Sequence, residues 1–368
     1  MKNKQKMLYL MGVGWSWIKQ RPHFIAEGLT AKYDVVTLSK KRISQRGDGN
    51  DTNVNVVYPL RLIPERFAII KFINTYIFNL YISYYLKRCK YVWFGAPNEF
   101  SEYALQKCNE KHVVIYDCMD DMLAFPSKKG VQDVIFKREY ELLKRANIIF
   151  CSANHLKNIL KKRYQLDKEI VLLNNALTID ESGYASRIEA KNQCPLFFNS
   201  NAFKVTYIGT IADWFDFELV KQLLETIPES EVHLFGPCAK TLQRLHQSDR
   251  LFFHGPIDHR YIKAIMKGSD ALIMPFVLTD LIQSVNPVKL YEYIYSGVPC
   301  LAPLYDESKP FGDYCYLYKD RNDCIEELMR INNHQCTINQ NEASCISFVK
   351  ENTWAKRMEV VFNYVEKI

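Results

Sequence analysis

Several common features are missing from this sequence, and each absence excludes a class of protein. No uncharged apolar run approaches the roughly 20 residues that a transmembrane helix needs. The apolar stretch at residues 7–13 is too short for a signal peptide, and no small-residue cleavage site follows it. The eleven cysteines form no CxxC pair and their number is odd, which argues against a disulfide framework. We therefore expect a protein of the reducing cytoplasm.

The composition is that of a globular protein whose charge is unevenly distributed. Hydrophobic residues make up 48% of the 368 positions and charged residues 24%, which suits two domains of ordinary size. The net charge of +7 divides into +12 over residues 1–180 and −5 over residues 181–368. The split predicts that the first half faces a polyanion or an anionic membrane surface, although a chance bias in solvated charge gives the same pattern. No nucleic-acid recognition motif is present, so we expect no nucleic-acid partner.

Strand-like apolar runs alternate with helical patterns along the whole chain. The runs lie at residues 7–11, 34–38, 91–94, 113–117 and 148–152, and again at residues 204–209, 231–236, 251–255, 271–276 and 298–302. This alternation predicts an α/β fold with parallel sheets covered by helices. Open sheets of this kind bind ligands beyond the carboxyl ends of their strands.

A polar, irregular stretch separates the two series of strands. We predict an N-terminal Rossmann-like domain over residues 1–180, a linker over residues 181–202 and a second Rossmann-like domain over residues 203–348. Residues 349–368 form a final helical segment. Two such domains imply a cleft between them, which is the default binding site.

The most informative segment is residues 286–293, with the sequence NPVKLYEY. Pro287 suits the first turn of a helix, and Gly297 ends that helix before the next strand. Lys289 and Glu292 are three residues apart, so they share one helical face near the N-terminus. A helix N-terminus that carries a lysine is suited to an anion such as a diphosphate. A capped surface helix with an ion pair is the alternative.

This segment resembles the donor-binding helix of GT-B glycosyltransferases, of the family 4-like type that builds bacterial capsules, exopolysaccharides and teichuronic-type polymers. Motifs in the order and spacing of these enzymes cover most of the chain, at residues 17–23 (WIKQRPH), 116–121 (YDCMDD), 173–176 (LNNA), 207–211 (YIGTI) and 270–276 (DALIMPF). The resemblance implies two Rossmann-like domains facing a central cleft, with the last helix crossing back to pack on the N-terminal domain. It also implies a nucleotide diphosphate sugar as donor, handled with no cofactor and no bound metal.

The candidates for the diphosphate site lie in the second half of the chain. Lys289 and the N–H groups after Asn286, such as that of Val288, would stabilise the departing diphosphate. Gly209 and Thr210 follow a predicted strand, where a glycine lets the backbone approach phosphates closely. Gly209 could equally make no more than a tight turn.

Other donor contacts follow from the resemblance. Glu292 would accept hydrogen bonds from the ribose, and the base would rest near His254 and Gly255. Ser284 is a donor-binding candidate that stands where the family 4 pattern has a glutamate. Thr210 stands where these enzymes often have an arginine.

Three aspartates form the sharpest acidic cluster in the first half. Asp117, Asp120 and Asp121 lie at a predicted strand end, where like charges this close should raise at least one pKa. A raised pKa suits a general base, for which Asp120 is our first candidate and Asp121 the second. The alternative is helix capping with solvated charge. We assign Asp117 to the acceptor or phosphate site.

The first glycine turn adds further candidates for that site. Gly14 precedes a loop that leads to Gln20 and Arg21 at a predicted helix start. Arg21 would bind an acceptor phosphate or the donor diphosphate, or else is a surface arginine. We expect His23 to be packed or on the surface rather than catalytic.

Residues 61–91 combine aromatic and aliphatic residues with six Lys or Arg residues. Basic residues beside an aromatic-rich helix are typical of an interfacial membrane contact. A core helix with basic ends is the alternative.

These inferences predict an enzyme on the cytoplasmic face of the membrane. It would transfer a sugar from a nucleotide diphosphate donor to a hydroxyl of a lipid-linked glycan or oligosaccharide, in the assembly of a bacterial surface polysaccharide. The alternatives are a nucleotide-sugar 2-epimerase of the same fold, and a non-catalytic nucleotide-binding scaffold in a polymer-synthesis complex.

Overall fold

A computed structural model describes residues 4–16, 19–39, 52–62, 66–125, 127–179, 184–336, 338 and 342–368. The chain divides into two compact units. Unit 1 comprises Met1–Asn175 together with Trp354–Ile368, and unit 2 comprises Ala176–Thr353. Residues 17 and 18 of the first motif, and residues 181–183 of the predicted linker, lie outside the described part.

Unit 1 is built on a parallel sheet. Its strands are β1 (Gln5–Leu10), β2 (Tyr33–Leu38), β3 (Asn55–Val57), β4 (Tyr91–Phe94), β5 (Val113–Cys118), β6 (Ile148–Cys151) and β7 (Val171–Leu172). They are arranged in the order β3-β2-β1-β4-β5-β6-β7, with every pairing parallel. The central strands β4, β5 and β6 are buried along their whole length, which is why the sequence shows continuous apolar runs there.

Helices connect the strands of unit 1. They are α1 (Arg21–Leu29), α2 (Ala68–Leu86), α3 (Glu99–Lys107), α4 (Lys129–Arg145) and α5 (Asn154–Tyr164). Right-handed crossovers place α2 to α5 on one face of the sheet and α1 on the other. The shared core bears this out, because Phe78 of α2, Leu142 of α4 and Leu156 of α5 belong to one buried cluster.

The last helix, α15 (Trp354–Val365), returns to unit 1 and packs on α1. The Trp354 ring stacks on Phe24 with centroids 5.2 Å apart. Gly28 makes room for Met358, since a methyl group at Gly28 would lie 2.5 Å from Met358 Cγ. The predicted return of the last helix to the N-terminal half is confirmed.

Unit 2 contains the second parallel sheet. Its strands are β8 (Phe203–Ile208), β9 (Ser230–Phe235), β10 (Leu251–Gly255), β11 (Ala271–Ile273), β12 (Cys300–Pro303) and β13 (Tyr316–Tyr318), in the order β10-β9-β8-β11-β12-β13. Its helices are α6 (Arg187–Gln193), α7 (Pro195–Asn199), α8 (Phe217–Thr226), α9 (Lys240–Leu245), α10 (Ile262–Lys267), α11 (Asp280–Gln283), α12 (Val288–Ser296), α13 (Arg321–Asn332) and α14 (Glu342–Glu351). The predicted α/β fold with two Rossmann-like sheets is confirmed.

The polar stretch between the two series of strands is more ordered than its composition indicates. Residues 187–199 form α6 and α7, which pack on unit 2. Phe197 is fully buried in a cluster with Phe235 and Ile265. The apolar residues of the stretch are spaced too widely to stand out among polar neighbours in the sequence.

Among the residues that the structure describes, no helix is long and apolar enough to cross a bilayer.

Candidate functional site

Three glycines line the carboxyl edge of the sheet in unit 2. Gly209 follows β8, Gly236 follows β9 and Gly255 ends β10, and their φ angles are +154°, +145° and +72°. The Gly209 N–H donates to the Phe235 carbonyl at 2.8 Å, and the Gly236 N–H donates to the Gly255 carbonyl at 2.8 Å. Only glycine adopts such backbone angles without strain, so three neighbouring strands end in a bare backbone edge.

The Gly236 edge leaves no room for a side chain. A methyl group there would overlap the Gly209 backbone. We expect Gly236→Ala to lower the free energy of unfolding by at least about 2 kcal/mol, because backbone strain and overlap add. Urea unfolding measures the change. Gly130→Ala is the control, since nothing lies within 4 Å of the added methyl group in α4, and no loss is expected there. Equal stability of the two variants would contradict the close approach of the Gly236 and Gly209 backbones.

Helix α12 begins at this edge. Pro287 is its N-cap residue, and Gly297 ends it in the left-handed conformation with φ +71°. The Tyr293 hydroxyl accepts a hydrogen bond from the Ile208 N–H at 3.1 Å, which fastens α12 to the end of β8. The predicted helix and its stop at Gly297 are confirmed.

Lys289 projects from the first turn of α12 over the glycine edge. A methyl group at Gly209 would overlap its Cε and lie 2.8 Å from its Nζ. The ammonium also lies 5.6 Å from the Tyr207 ring centroid and 5.8 Å from that of Phe276. Burial lowers the Lys289 pKa, opposed by the charge of Glu292. A half-buried cation beside open backbone at a helix N-terminus is a site suited to an anion.

Glu292 lies one turn further along the same face of α12. Burial raises its pKa, while Lys289 and His259 act in the opposite direction. Lys289 and Glu292 share one face of α12, as the spacing predicts, and both side chains are half-buried. Glu292 retains carboxylate oxygens suited to accept hydrogen bonds from a diol.

The other donor-binding candidates occupy different environments. Thr210 is exposed, and its carbonyl accepts a hydrogen bond from the Tyr207 hydroxyl at 2.8 Å. Asn286 is buried beside Tyr291, and Val288 is exposed at the start of α12. Ser284 is fully buried and donates to the Asp280 carbonyl at 3.1 Å. The Ser284 hydroxyl therefore closes the preceding helical turn, and a donor contact at Ser284 stays a prediction.

His254 belongs to a partly buried chain of polar side chains that the sequence did not reveal. Its Nε2 lies 3.0 Å from Nδ1 of His233, whose Nε2 lies 3.2 Å from Glu231. The His254 ring stacks on Phe235 with centroids 4.2 Å apart. Burial lowers the pKa of His254 to about 4. Burial, His254 and Lys204 together lower the pKa of His233 to about 3. Both rings are neutral near pH 7.

This histidine pair predicts a loss of stability in acid. In the unfolded chain both histidines bind a proton below their ordinary pKa of 6.5. In the folded protein His254 binds one only below about pH 4 and His233 only below about pH 3. The fully buried His233 alone should therefore lower the free energy of unfolding by about 2 kcal/mol between pH 7 and pH 5. We expect His233→Phe to show a correspondingly smaller decrease in urea unfolding at the two pH values. An unchanged decrease would contradict the neutral, buried state of His233.

In unit 1 the residues predicted for an acceptor or phosphate site form a buried ion pair. The Arg21 guanidinium donates to Asp117 at 2.7 and 3.1 Å and to the Leu173 carbonyl at 2.5 Å. Both side chains are only 2% exposed. Arg21 is thus not a surface arginine, and its role in an acceptor or phosphate site stays a prediction. The pair joins the start of α1 to the end of β5.

A second ion pair holds Asp121. Arg163 of α5 donates to its two carboxylate oxygens at 2.7 and 2.6 Å. Beneath it, buried Glu139 accepts hydrogen bonds from Tyr116 at 2.6 Å and Tyr164 at 2.7 Å. Sequence reasoning missed Arg163 and Glu139, because nothing local links them to Asp121, from which they lie 42 and 18 positions away.

Asp120 differs from its two neighbours. Burial raises its pKa to about 6, with smaller contributions from Asp117 and Asp121 and an opposing one from Arg21. The side chain is half-buried rather than enclosed. The expectation that one carboxyl of the cluster has a raised pKa is thus met at Asp120, mainly through desolvation rather than like charge. Both carboxylate oxygens of Asp121 accept from Arg163, so Asp121 holds the loop in place.

Gln20 and Gly14 lie on the approach to α1. Gln20 is the N-cap residue, and its N–H donates to Nδ1 of His23 at 3.3 Å. His23 is buried, as expected, and its Nε2 lies 3.1 Å from the Trp15 carbonyl. A side chain at Gly14 would come within 3.8 Å of the Ser39 hydroxyl, which accepts the Trp15 N–H. These residues shape the loop, and the geometry assigns no ligand to Gln20 or Gly14.

Two parallel sheets with crossover helices, each carrying candidate residues at its carboxyl edge, are the architecture of the GT-B fold. Similar solved structures match over the whole chain. Sucrose-phosphate synthase of Thermosynechococcus elongatus has a TM-score of 0.74 at 13% identity and covers 99% of both chains. HepE of Anabaena, in complex with UDP and glucose, has a TM-score of 0.72 at 11% identity and covers 99% of this chain and 100% of its own.

One sequence relative adds to this likeness. The "Putative teichuronic acid biosynthesis glycosyltransferase TuaH" of Bacillus subtilis strain 168 is 26% identical over 219 residues, which is 56% of this chain and 54% of that protein. The chain thus spans about half the length of the curated relative that it matches. No family model matches the sequence.

Proposed function

We propose that this chain is a glycosyltransferase whose unit 2 binds the nucleoside diphosphate of a sugar donor. The observation that carries the proposal is the position of Lys289, whose ammonium lies against Gly209 at the N-terminus of α12. The glycine edge allows phosphate oxygens to approach the backbone, and the helix N-terminus and the lysine supply positive charge. The fold supports it, as does the UDP bound to HepE.

The proposed reaction needs a base and a stabilised leaving group. The acceptor hydroxyl oxygen forms a bond to the anomeric carbon while the bond from that carbon to the diphosphate breaks. Asp120 takes the hydroxyl proton, and the charge on Lys289 stabilises the departing diphosphate. Glu292 holds the ribose hydroxyls, and we propose that no metal or cofactor takes part.

The proposed acceptor is a hydroxyl of a lipid-linked glycan or oligosaccharide of a bacterial surface polymer. The name of the TuaH relative supports this class of product. The basic first half of the chain supports peripheral contact with an anionic membrane, on the cytoplasmic face, where nucleotide sugars are made available.

Thermal unfolding in the presence of UDP, GDP, dTDP or CDP tests the donor site. A nucleotide at about a hundred times its Kd should stabilise the folded protein by roughly 2.7 kcal/mol and raise the melting temperature. We expect one of the four to do so. If none stabilises the protein, the nucleotide-sugar proposal fails.

Two alternatives make different predictions once a nucleotide is found. A 2-epimerase converts the donor sugar to its epimer with no acceptor present, which chromatography of the nucleotide sugar detects. A non-catalytic scaffold binds the nucleotide but consumes none of its sugar conjugate, and Asp120→Asn leaves cellular polymer unchanged. Acceptor-dependent consumption of the donor distinguishes the transferase from both.

A further inference from the structure

Helix α2 of unit 1 is apolar on two opposite faces. One stripe, which includes Phe78, Ile82 and Leu86, is buried in the core of unit 1. The opposite stripe is 50 to 70% exposed and consists of Ile69, Phe72, Tyr76, Leu80 and Tyr84. A surface helix normally presents polar residues to water, so a continuous exposed apolar stripe indicates an interaction surface. We call these five residues the outer stripe.

A neighbouring segment enlarges the outer stripe. Asn74 accepts the Leu62 N–H at 2.8 Å and donates to the Leu62 carbonyl at 2.8 Å. These two hydrogen bonds hold the chain beside the helix, where Leu60 is 66% exposed and Leu62 is 39% exposed. Phe67, the N-cap residue at the start of α2, is 49% exposed. Local hydrogen bonds therefore hold Leu60 and Leu62 beside the exposed face of α2.

The charged residues of α2 and of the chain on either side of it have one sign. No Asp or Glu occurs from residue 66 to residue 98, while Arg66, Lys71, Lys87, Arg88 and Lys90 all fall in that range. The Arg88 guanidinium lies 3.6 Å from the Tyr84 ring centroid, and Arg66 lies 5.0 Å from that of Phe67. Cations thus lie at both ends of α2, where Arg66 rests on the ring of Phe67 and Arg88 on the ring of Tyr84.

We infer that the outer stripe of α2 is the surface by which unit 1 docks on an anionic lipid bilayer. A helix of 19 residues is about 28 Å long, and lying flat it brings its apolar stripe into the acyl boundary. The aromatic rings and the cations then lie at the level of the headgroups. A protein groove would instead have to match five cations with acidic groups at both ends of the same helix. The inference locates the membrane contact of the proposed function but does not depend on sugar transfer.

Vesicle co-sedimentation tests this docking surface with the full chain and no nucleotide present. We expect binding to vesicles of mixed phosphatidylglycerol and phosphatidylcholine, weaker binding to phosphatidylcholine alone, and a decrease with added salt. The triple variant Phe72→Ser, Tyr76→Ser, Leu80→Ser should lose at least tenfold in partitioning. Lys87→Gln should lose about fivefold, the equivalent of roughly 1 kcal/mol for one cation near an anionic surface.

A matched control changes exposed apolar residues elsewhere. Ile188, Leu196 and Leu245 of unit 2 are 75%, 69% and 75% exposed, and their triple serine variant should bind vesicles as the wild type does. Binding that is absent in the wild type, or equal in the two triple variants, would overturn the inference. So would a concentration-dependent dimer that only the α2 variant loses, since a second copy would then cover the stripe. Nucleotide-induced stabilisation is a separate measurement, so a lack of vesicle binding would not contradict the proposed donor site in unit 2.

Discussion

Replacing Asp120 by asparagine should lower the rate of sugar transfer by about 10²- to 10⁴-fold, the range typical of a lost general base. Asp121 is held by Arg163 and Asp117 by Arg21, which leaves Asp120 as the half-buried member of the cluster. Its pKa, raised mainly by burial to about 6, lets it accept a proton at neutral pH. The measurement is the initial rate of donor consumption with acceptor present.

The same assignment predicts a pH profile. Activity should fall with decreasing pH as Asp120 becomes protonated near pH 6. Nucleotide-induced stabilisation should be unchanged in Asp120→Asn, because the proposed donor residues belong to unit 2. Asp133→Asn, an exposed aspartate on α4, serves as the control and should retain full activity. An Asp120→Asn enzyme with wild-type rates would exclude this residue as the base.

Replacing Lys289 by alanine should remove most of the stabilisation that the nucleotide provides. Hydrogen bonds to charged groups contribute about 1.5–3 kcal/mol, so Kd should rise by roughly 10- to 150-fold. A nucleotide concentration that stabilises the wild type by about 2.7 kcal/mol would then stabilise the variant by about 0.4 kcal/mol if Kd rises a hundredfold. Thermal unfolding with and without the nucleotide measures both values.

A second lysine of unit 2 provides the control for this prediction. Lys309 is exposed and pairs with Asp306 at 2.6 Å, so Lys309→Ala should leave the nucleotide effect intact. Burial lowers the Lys289 pKa, so the ammonium loses its proton at a lower pH than an exposed lysine does. The affinity of the wild type for the nucleotide should therefore begin to weaken at that lower pH. Full stabilisation of Lys289→Ala by the same nucleotide would show that the diphosphate binds elsewhere.

The sequence predicts best those features that are set by neighbours along the chain. Helix α12, its stop at Gly297 and the shared face of Lys289 and Glu292 follow from proline, glycine and helical spacing within a dozen residues. The buried strands likewise appear as continuous apolar runs.

Features that join distant segments were not predictable. The sequence leaves open whether Arg21 faces solvent, and the structure buries it against Asp117, which lies 96 residues away. The contact between Gly236 and Gly209, and the bond from Arg163 to Asp121, likewise depend on how strands and helices are brought together. Pairing of this kind depends on tertiary geometry, of which a single sequence records only the participating residue types.

The most direct test of the central claim is the release of nucleoside diphosphate from the sugar conjugate of the nucleotide that stabilises the protein. The wild type and Asp120→Asn are compared with and without a lipid-linked oligosaccharide extract. The account predicts release that requires the acceptor extract and falls at least a hundredfold in Asp120→Asn. Release that is absent, or that is the same with and without acceptor, would contradict sugar transfer as the function of this chain.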